Sequence, residues 1–289
     1  MKTKILVLLL LPTIIFCQNK KCNYIDDYYP SIYKAQIEYY QKKYDSAYFH
    51  LKSAENKCGL RYDGTRNEIE ILAELEYRKK NYKKSAHYLK KLVENGYPFK
   101  YIEEDSLYTE FRNKKEWISL KLQSDKIYDK WKSNINWDLR DELIKINEED
   151  QRIRRTNVGK EEFERIDSLH ENRLKEILAQ YGYPTNNLIG NWYIDKKMDS
   201  IGTLIMHLQD LEYFKPKFYE YVKSGISEAS LYASIVDSHD RLRGIFTYRI
   251  YSNLKDDQIE DLPNLDKRRI SVGLRAWKME LEYRKLRGF

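Results

Sequence analysis

Among the five histidines of the chain, His207 occupies the position best suited to chemistry. It flanks the apolar stripe Ile201, Leu204, Ile205, Leu208 and Leu211, whose spacing predicts a helix near 201–211, and flank positions often border clefts. Asp240 is the matching acid. It continues the line Ala229, Ala233 and Val236 on a predicted helix from Ser227 to Leu242, so its carboxylate points where small apolar side chains point. Burying a carboxylate alone is costly, so an arginine such as Arg154, Arg268 or Arg269 should meet it, or a cleft should hydrate it. Joined, these residues describe one constellation: His207 as general base or ligand contact, Asp240 orienting it, and Arg154 or Arg269 binding an anion. The plainer alternative is a structural ion pair at Asp240 and a hydrogen-bonded histidine at a packing boundary. Spacing alone leaves both open. Asp150 and Arg154 lie four apart on one predicted helix and should pair. Gln151 beside them and Arg241 beside Asp240 complete the ligand-binding candidates.

What is missing narrows the chemistry further. The chain has no GxSxG, HExxH, GxxxxGK[ST] or glycine-rich dinucleotide turn, so standard serine-hydrolase, zincin, P-loop and Rossmann chemistries lack support. His50, His87, His170 and His239 share no metal-ligand spacing and there is no CxxC, so neither a metal nor a cofactor is expected. Whether the chain is an enzyme stays open at this level.

Its address is easier to read. Lys2 and Lys4 precede an uncharged run from Ile5 to Phe16, the layout of a secretory signal peptide over residues 1–17, with cleavage after Cys17 leaving Gln18 first. The alternative is a lipoprotein anchored at Cys17, against which Phe16 stands where a small residue is normal. Losing Lys2 and Lys4 lowers the net charge from +7 to +5, and acids and bases alternate along the helices, so nucleic acid is not an expected partner. No later stretch is apolar enough to span a membrane, and a periplasmic or secreted protein is expected. Cys22 and Cys58 remain as an even pair in a compartment where disulfides persist.

These side chains must be positioned by helices. Only 6 prolines and 11 glycines interrupt the sequence and apolar residues recur at three and four, so an all-α fold is expected. A repeat spaced 38 residues apart organises the front half: Ala35, Glu38, Tyr39, Tyr44, Ala47, Leu51 and Ala54 return as Ala73, Glu76, Tyr77, Tyr82, Ser85, Leu89 and Leu92. Each copy reads as two antiparallel helices around a basic turn. Cys22 precedes the first helix and Cys58 follows the second, so a hairpin brings them together; the bridge is worth on the order of 3 kcal/mol if unstrained. The offsets resemble the tetratricopeptide repeat from Tyr28 to Val93, although the period is longer and the closing proline is absent. That resemblance implies stacked hairpins in a module over 18–125, closed by the segment from Asp105 to Leu122, and a groove for a protein or peptide partner.

A second helical domain is expected over 137–289, with helices at Asp138–Arg155, Lys160–Tyr181, Pro216–Ser224 and a last one carrying Val272, Leu274, Trp277, Leu281 and Leu286. The run Ile245 to Tyr251 has strand-like composition, which allows a small β-hairpin near 245–262. Asp150-Gln151 with Arg154, Gly182-Tyr183-Pro184 followed by Gly190, His207, Asp240-Arg241 and Asn264 to Leu274 together resemble a bacterial family known only as the domain of unknown function numbered 6624. The resemblance implies fold continuity and candidate positions, and brings no activity. Where that family tends to have Tyr-Gly after the Asp-Arg pair, this chain has Tyr248-Arg249.

Overall fold

Repetition shows first in the turns of the computed structural model, which describes residues 22–61, 68–156, 158–197, 201–251 and 253–288. The expected signal segment and Cys17 lie outside these. Helices α1 (Tyr29–Tyr40) and α2 (Tyr44–Cys58) form one hairpin, and α3 (Glu68–Arg78) and α4 (Tyr82–Glu94) the next. Lys42 and Lys80, 38 residues apart, both adopt left-handed φ, 63° and 58°. Their amides return to Tyr39 and Tyr77 carbonyls at 2.9 and 2.8 Å, so the duplicated spacing is a duplicated geometry. Ala35, Ala47, Ala73 and Ser85 are fully buried where the helices cross, and the Ser85 hydroxyl donates to the Ala73 carbonyl at 2.8 Å. Cys22 and Cys58 are disulfide-bonded, with Cα atoms 5.3 Å apart.

The closing element is larger than the sequence suggests. After the short α5 (Phe99–Glu103), two turns deliver Tyr108 and Phe111 into the core, and α6 (Lys115–Lys132) packs on α4. The Phe111 ring stacks with Tyr77 and Tyr82 at 5.7 and 5.2 Å between centroids, extending the aromatic column of the second hairpin. Helix α6 runs on to Lys132, through the expected boundary between the halves. There Trp131 presses on the Gly96 turn so closely that a Cβ at Gly96 would meet the indole at 2.3 Å, and Asn191 donates to the Gly96 carbonyl at 3.1 Å. One hydrophobic core accordingly runs from Ile25 to Leu274 through both halves.

The rear half is α7 (Trp137–Arg155), α8 (Lys160–Tyr181), α9 (Asn186–Ile189), α10 (Gly202–Ile205), α11 (Leu211–Lys223), α12 (Ala229–Asp240), α13 (Leu265–Ser271) and α14 (Trp277–Arg287). Three expectations change. The helix over 201–211 is cut short because Asp210 caps a new one, its carboxylate accepting from the Tyr213 amide at 3.1 Å, which gives Leu211 to α11. The last helix is two pieces, broken at Gly273, where φ is 85° and a Cβ would lie 2.8 Å from the Tyr29 ring. No β-hairpin forms: among the described residues only a single bridge joins Phe246 and Ile259. Beyond that bridge, where the Phe246 amide donates to the Gln258 carbonyl at 2.8 Å, the amides of Thr247, Tyr248 and Ile250 go to carboxylates instead. The described residues are all-α, and no helix among them is long and apolar enough to cross a membrane.

Candidate functional site

Four candidates converge at the crossing of α7 with the turn after α10. Asp150, whose side chain is 3 % exposed, lies 2.9 Å from His207 Nδ1 through Oδ2 and accepts from Arg154 Nη2 at 2.8 Å through Oδ1. Gln151 donates to the same carboxylate at 2.9 Å. Arg154 Nη2 also reaches Asp167 of α8 at 2.8 Å, and its guanidinium sits 5.0 Å above the Phe163 ring. Arg154 Nε is 2.8 Å from His207 Nδ1 and 3.3 Å from Asp150 Oδ2. Nδ1 therefore faces a donor and an acceptor together. Arg154 Nε–H points at Nδ1, while Asp150 Oδ2 lies 2.9 Å from the same nitrogen: a neutral ring accepts there from the arginine, and a protonated one donates to the carboxylate. Nε2 makes no hydrogen bond among the described residues, on a side chain 28 % exposed.

Electrostatics separates the two acids. Burial pushes the Asp150 carboxyl up, but hydrogen bonds from His207 and Arg154 outweigh it and hold the group below its usual range. Asp167 goes the other way: burial raises it, the Asp150 charge adds to that, and its share of Arg154 does not compensate. The guanidinium thus serves Asp150 first.

Asp240 belongs to a different structure. Its carboxylate accepts from Arg243, from the Thr247 amide at 3.1 Å and from the Thr247 hydroxyl at 2.7 Å. Asp237, fully buried one turn earlier, accepts from the amides of Tyr248 and Ile250, both at 2.8 Å. These two caps hold Arg249 between them in the left-handed conformation, φ 54°, which glycine adopts freely and arginine does not. Arg268 donates to the carbonyls of Thr247, Glu260 and Asp261, and Arg269 to those of Arg275 at 2.7 Å and Tyr248 at 2.5 Å. Arg241 lies with its guanidinium 5.2 Å from the Tyr251 ring. This group clasps the 245–262 loop onto α12 and α13.

The constellation expected from spacing is therefore corrected. Asp150, not Asp240, orients His207, and Arg243, not Arg154, Arg268 or Arg269, meets Asp240. Among the described residues no hydrogen bond or ion pair joins the two groups. Asp167, Asp237 and Arg243 escaped the sequence reading, as did Arg140, fully buried and bound to Asp195 at 2.6 Å and to the Ile189 carbonyl at 2.7 Å. A signal existed for two of them. Asp237 follows Ala229 and Ala233 at intervals of four, and Arg140 precedes the buried Leu143 and Ile144 by three and four.

A third place concerns the repeat module itself. The face of α1 is covered by the chain's own C-terminal segment. Tyr33 donates its hydroxyl to the Gly273 carbonyl at 2.5 Å, and Arg275 donates to Gln36 while lying between the rings of Tyr33 and Tyr283, 4.4 and 3.7 Å from their centroids. Further along, Gln41 donates to Glu282 at 2.8 Å and Tyr40 meets Tyr283 edge to face. No side chain of α14 is fully buried. Its hold on α1 is polar and aromatic rather than a hydrophobic seam. No family model, curated protein or solved structure matches this chain.

Proposed function

We propose that the protein is an exported interaction protein whose tetratricopeptide-like face engages a partner segment, with residues 273–287 occupying that face in cis until a partner displaces them. The observation that carries this is the cover on α1: a glycine-arginine turn and a short helix, bound through tyrosine, glutamine and arginine contacts without a fully buried side chain on α14. Such a surface is able to bind a chain segment, and α14, which fully buries no side chain, is the part of the cover that can exchange. The basic, then apolar, N-terminal residues and the Cys22–Cys58 disulfide support a periplasmic or secreted address. The resemblance to the uncharacterised family numbered 6624 supports only the continuity of the rear half.

A labelled peptide with the sequence of residues 273–287 tests it by fluorescence anisotropy against the intact protein and an Arg275→Ala, Tyr283→Ala variant shown to be folded by circular dichroism. The variant should bind the peptide at least tenfold tighter than the parent, because its own cover competes less. Failure of the folded variant to bind removes the proposal.

A second reading, a hydrolase or transferase with His207 as general base, is favoured by the Asp150 contact on Nδ1 alone. Turnover of a generic activated ester that is lost in His207→Ala and kept in Asp240→Asn supports it. Equal turnover in His207→Ala and the parent eliminates it.

A further inference from the structure

Behind α14 lies a cavity of about 620 Å³, within the size range of sites for small organic ligands, with walls from both halves of the chain. Six arginines border it: Arg61, Arg249, Arg269, Arg275, Arg284 and Arg287. Among the described residues of the wall, Glu68, Glu228 and Glu280 are the acids, three against six arginines. Asp256, which pairs with Arg249 at 2.6 Å, is not part of the wall, and its side chain is 70 % exposed.

Two of these guanidiniums are built in rather than free to swing. Arg275 is clamped between Tyr33 and Tyr283, with its terminal nitrogens donating to Glu280 at 2.9 Å and to Gln36. Arg249 lies 4.6 Å over the Trp277 ring, with its terminal nitrogens on Asp256 and the Leu254 carbonyl. In both, the Nε–H is buried and meets no acceptor among the described residues. Those two Nε–H groups are closed off from the cavity itself, so what a ligand meets there is the positive charge of guanidiniums already fixed by stacking. Tyr28 and Tyr33 do not supply negative charge, since burial pushes both phenols up and keeps them protonated. Their rings, with Ile32 and Leu274, give the cavity apolar surface for the body of a ligand.

We propose that this cavity binds a small organic anion, one multi-oxygen acidic group, carboxylate or phosphate, on a compact polar body. The site is linked to partner exchange at α14: because Arg275, Glu280, Tyr283, Arg284 and Arg287 form part of its wall, an occupied cavity holds α14 closed, whereas ligand binding itself requires no partner.

Isothermal titration calorimetry of the intact protein at low salt, with glucuronate, glucose 6-phosphate, inorganic phosphate and glucose as separate probes, tests the proposal. At least one anionic sugar should bind more than tenfold tighter than glucose and weaken as salt is added. Preference for glucuronate or for glucose 6-phosphate then identifies the acidic group, and binding of inorganic phosphate alone, without any anionic sugar, contradicts the proposed organic body. Arg275→Gln should reduce the affinity of the preferred probe at least tenfold; Arg284→Gln, on a more exposed side chain, serves if the first variant does not fold. Equal binding of glucose, no binding by any anion at millimolar concentration, or unchanged affinity in a folded variant overturns the assignment.

Discussion

Ala47 in the front half and Asp237 in the rear half do the same structural task by different means: each is fully buried and fixes where two segments meet. In the front hairpins the meeting is between small and aromatic side chains, and the tyrosines complete it with hydroxyls that reach glutamates, as Tyr48 does to Glu76 at 2.7 Å. In the rear half the work passes to buried charges that bind backbone: Arg140 on carbonyls, Asp237 and Asp240 on amides, Arg269 on carbonyls again, with the half-buried Arg268 beside it. Close packing tolerates changes of shape by small adjustments. A buried charge that has lost its partners does not adjust, and the two halves should therefore fail differently.

The largest expected effect is at Arg140. Arg140→Ala removes the partner of Asp195 and of the Ile189 carbonyl and leaves a cavity, which should cost roughly 3–5 kcal/mol in urea unfolding. Asp237→Ala comes next, at roughly 2–4 kcal/mol, because the amides of Tyr248 and Ile250 lose their acceptors. Asp237→Asn, which keeps one carbonyl acceptor, should lose less. Overpacking the front crossing with Ala47→Leu should cost about 1–3 kcal/mol and leave helicity intact, read by the same unfolding curves and by circular dichroism. If Ala47→Leu costs more than Arg140→Ala, the contrast between the halves is wrong.

The smallest effect is electrostatic and has a definite sign. Asp150 is held below its usual range, so its contribution to stability is complete above the unfolded carboxylate pKa of about 3.9 and disappears as pH falls through the native value. Asp150→Asn should flatten the acid limb of a stability-versus-pH curve. Asp167 is raised, so its contribution is present at low pH and lost as pH climbs through its native value. Asp167→Asn should flatten that opposite slope, and the same slope in both variants would refute the division of Arg154 between the two acids.

This contrast also explains what could be read from the chain. Alanine and tyrosine at fixed offsets specify the hairpins, because the pattern repeats and each position has one job; the turns at Lys42 and Lys80 follow from it. The Cys22–Cys58 bridge was legible for the same reason, since a hairpin brings its two ends together. Asp150 and Arg154 were legible as a pair because four residues on one helix are local. The partner of His207 was not, because it depends on how the turn after α10 crosses α7, and spacing on one element carries no such information. Strand-like composition from Ile245 to Tyr251 misled for a related reason: Phe246 and Tyr248 are buried there from a loop whose amides are taken by Asp237 and Asp240. Equally invisible was the cover on α1, made by residues about 240 positions away, as between Tyr33 and Gly273.

Native-state hydrogen exchange resolved by residue gives the sharpest test of that cover. The amides of α14 should exchange through an opening well below the free energy of global unfolding, while those of α1 and α4 stay protected to the global limit. Protection of α14 equal to that of α1 would make the C-terminal segment a permanent part of the core and contradict its role as a displaceable occupant.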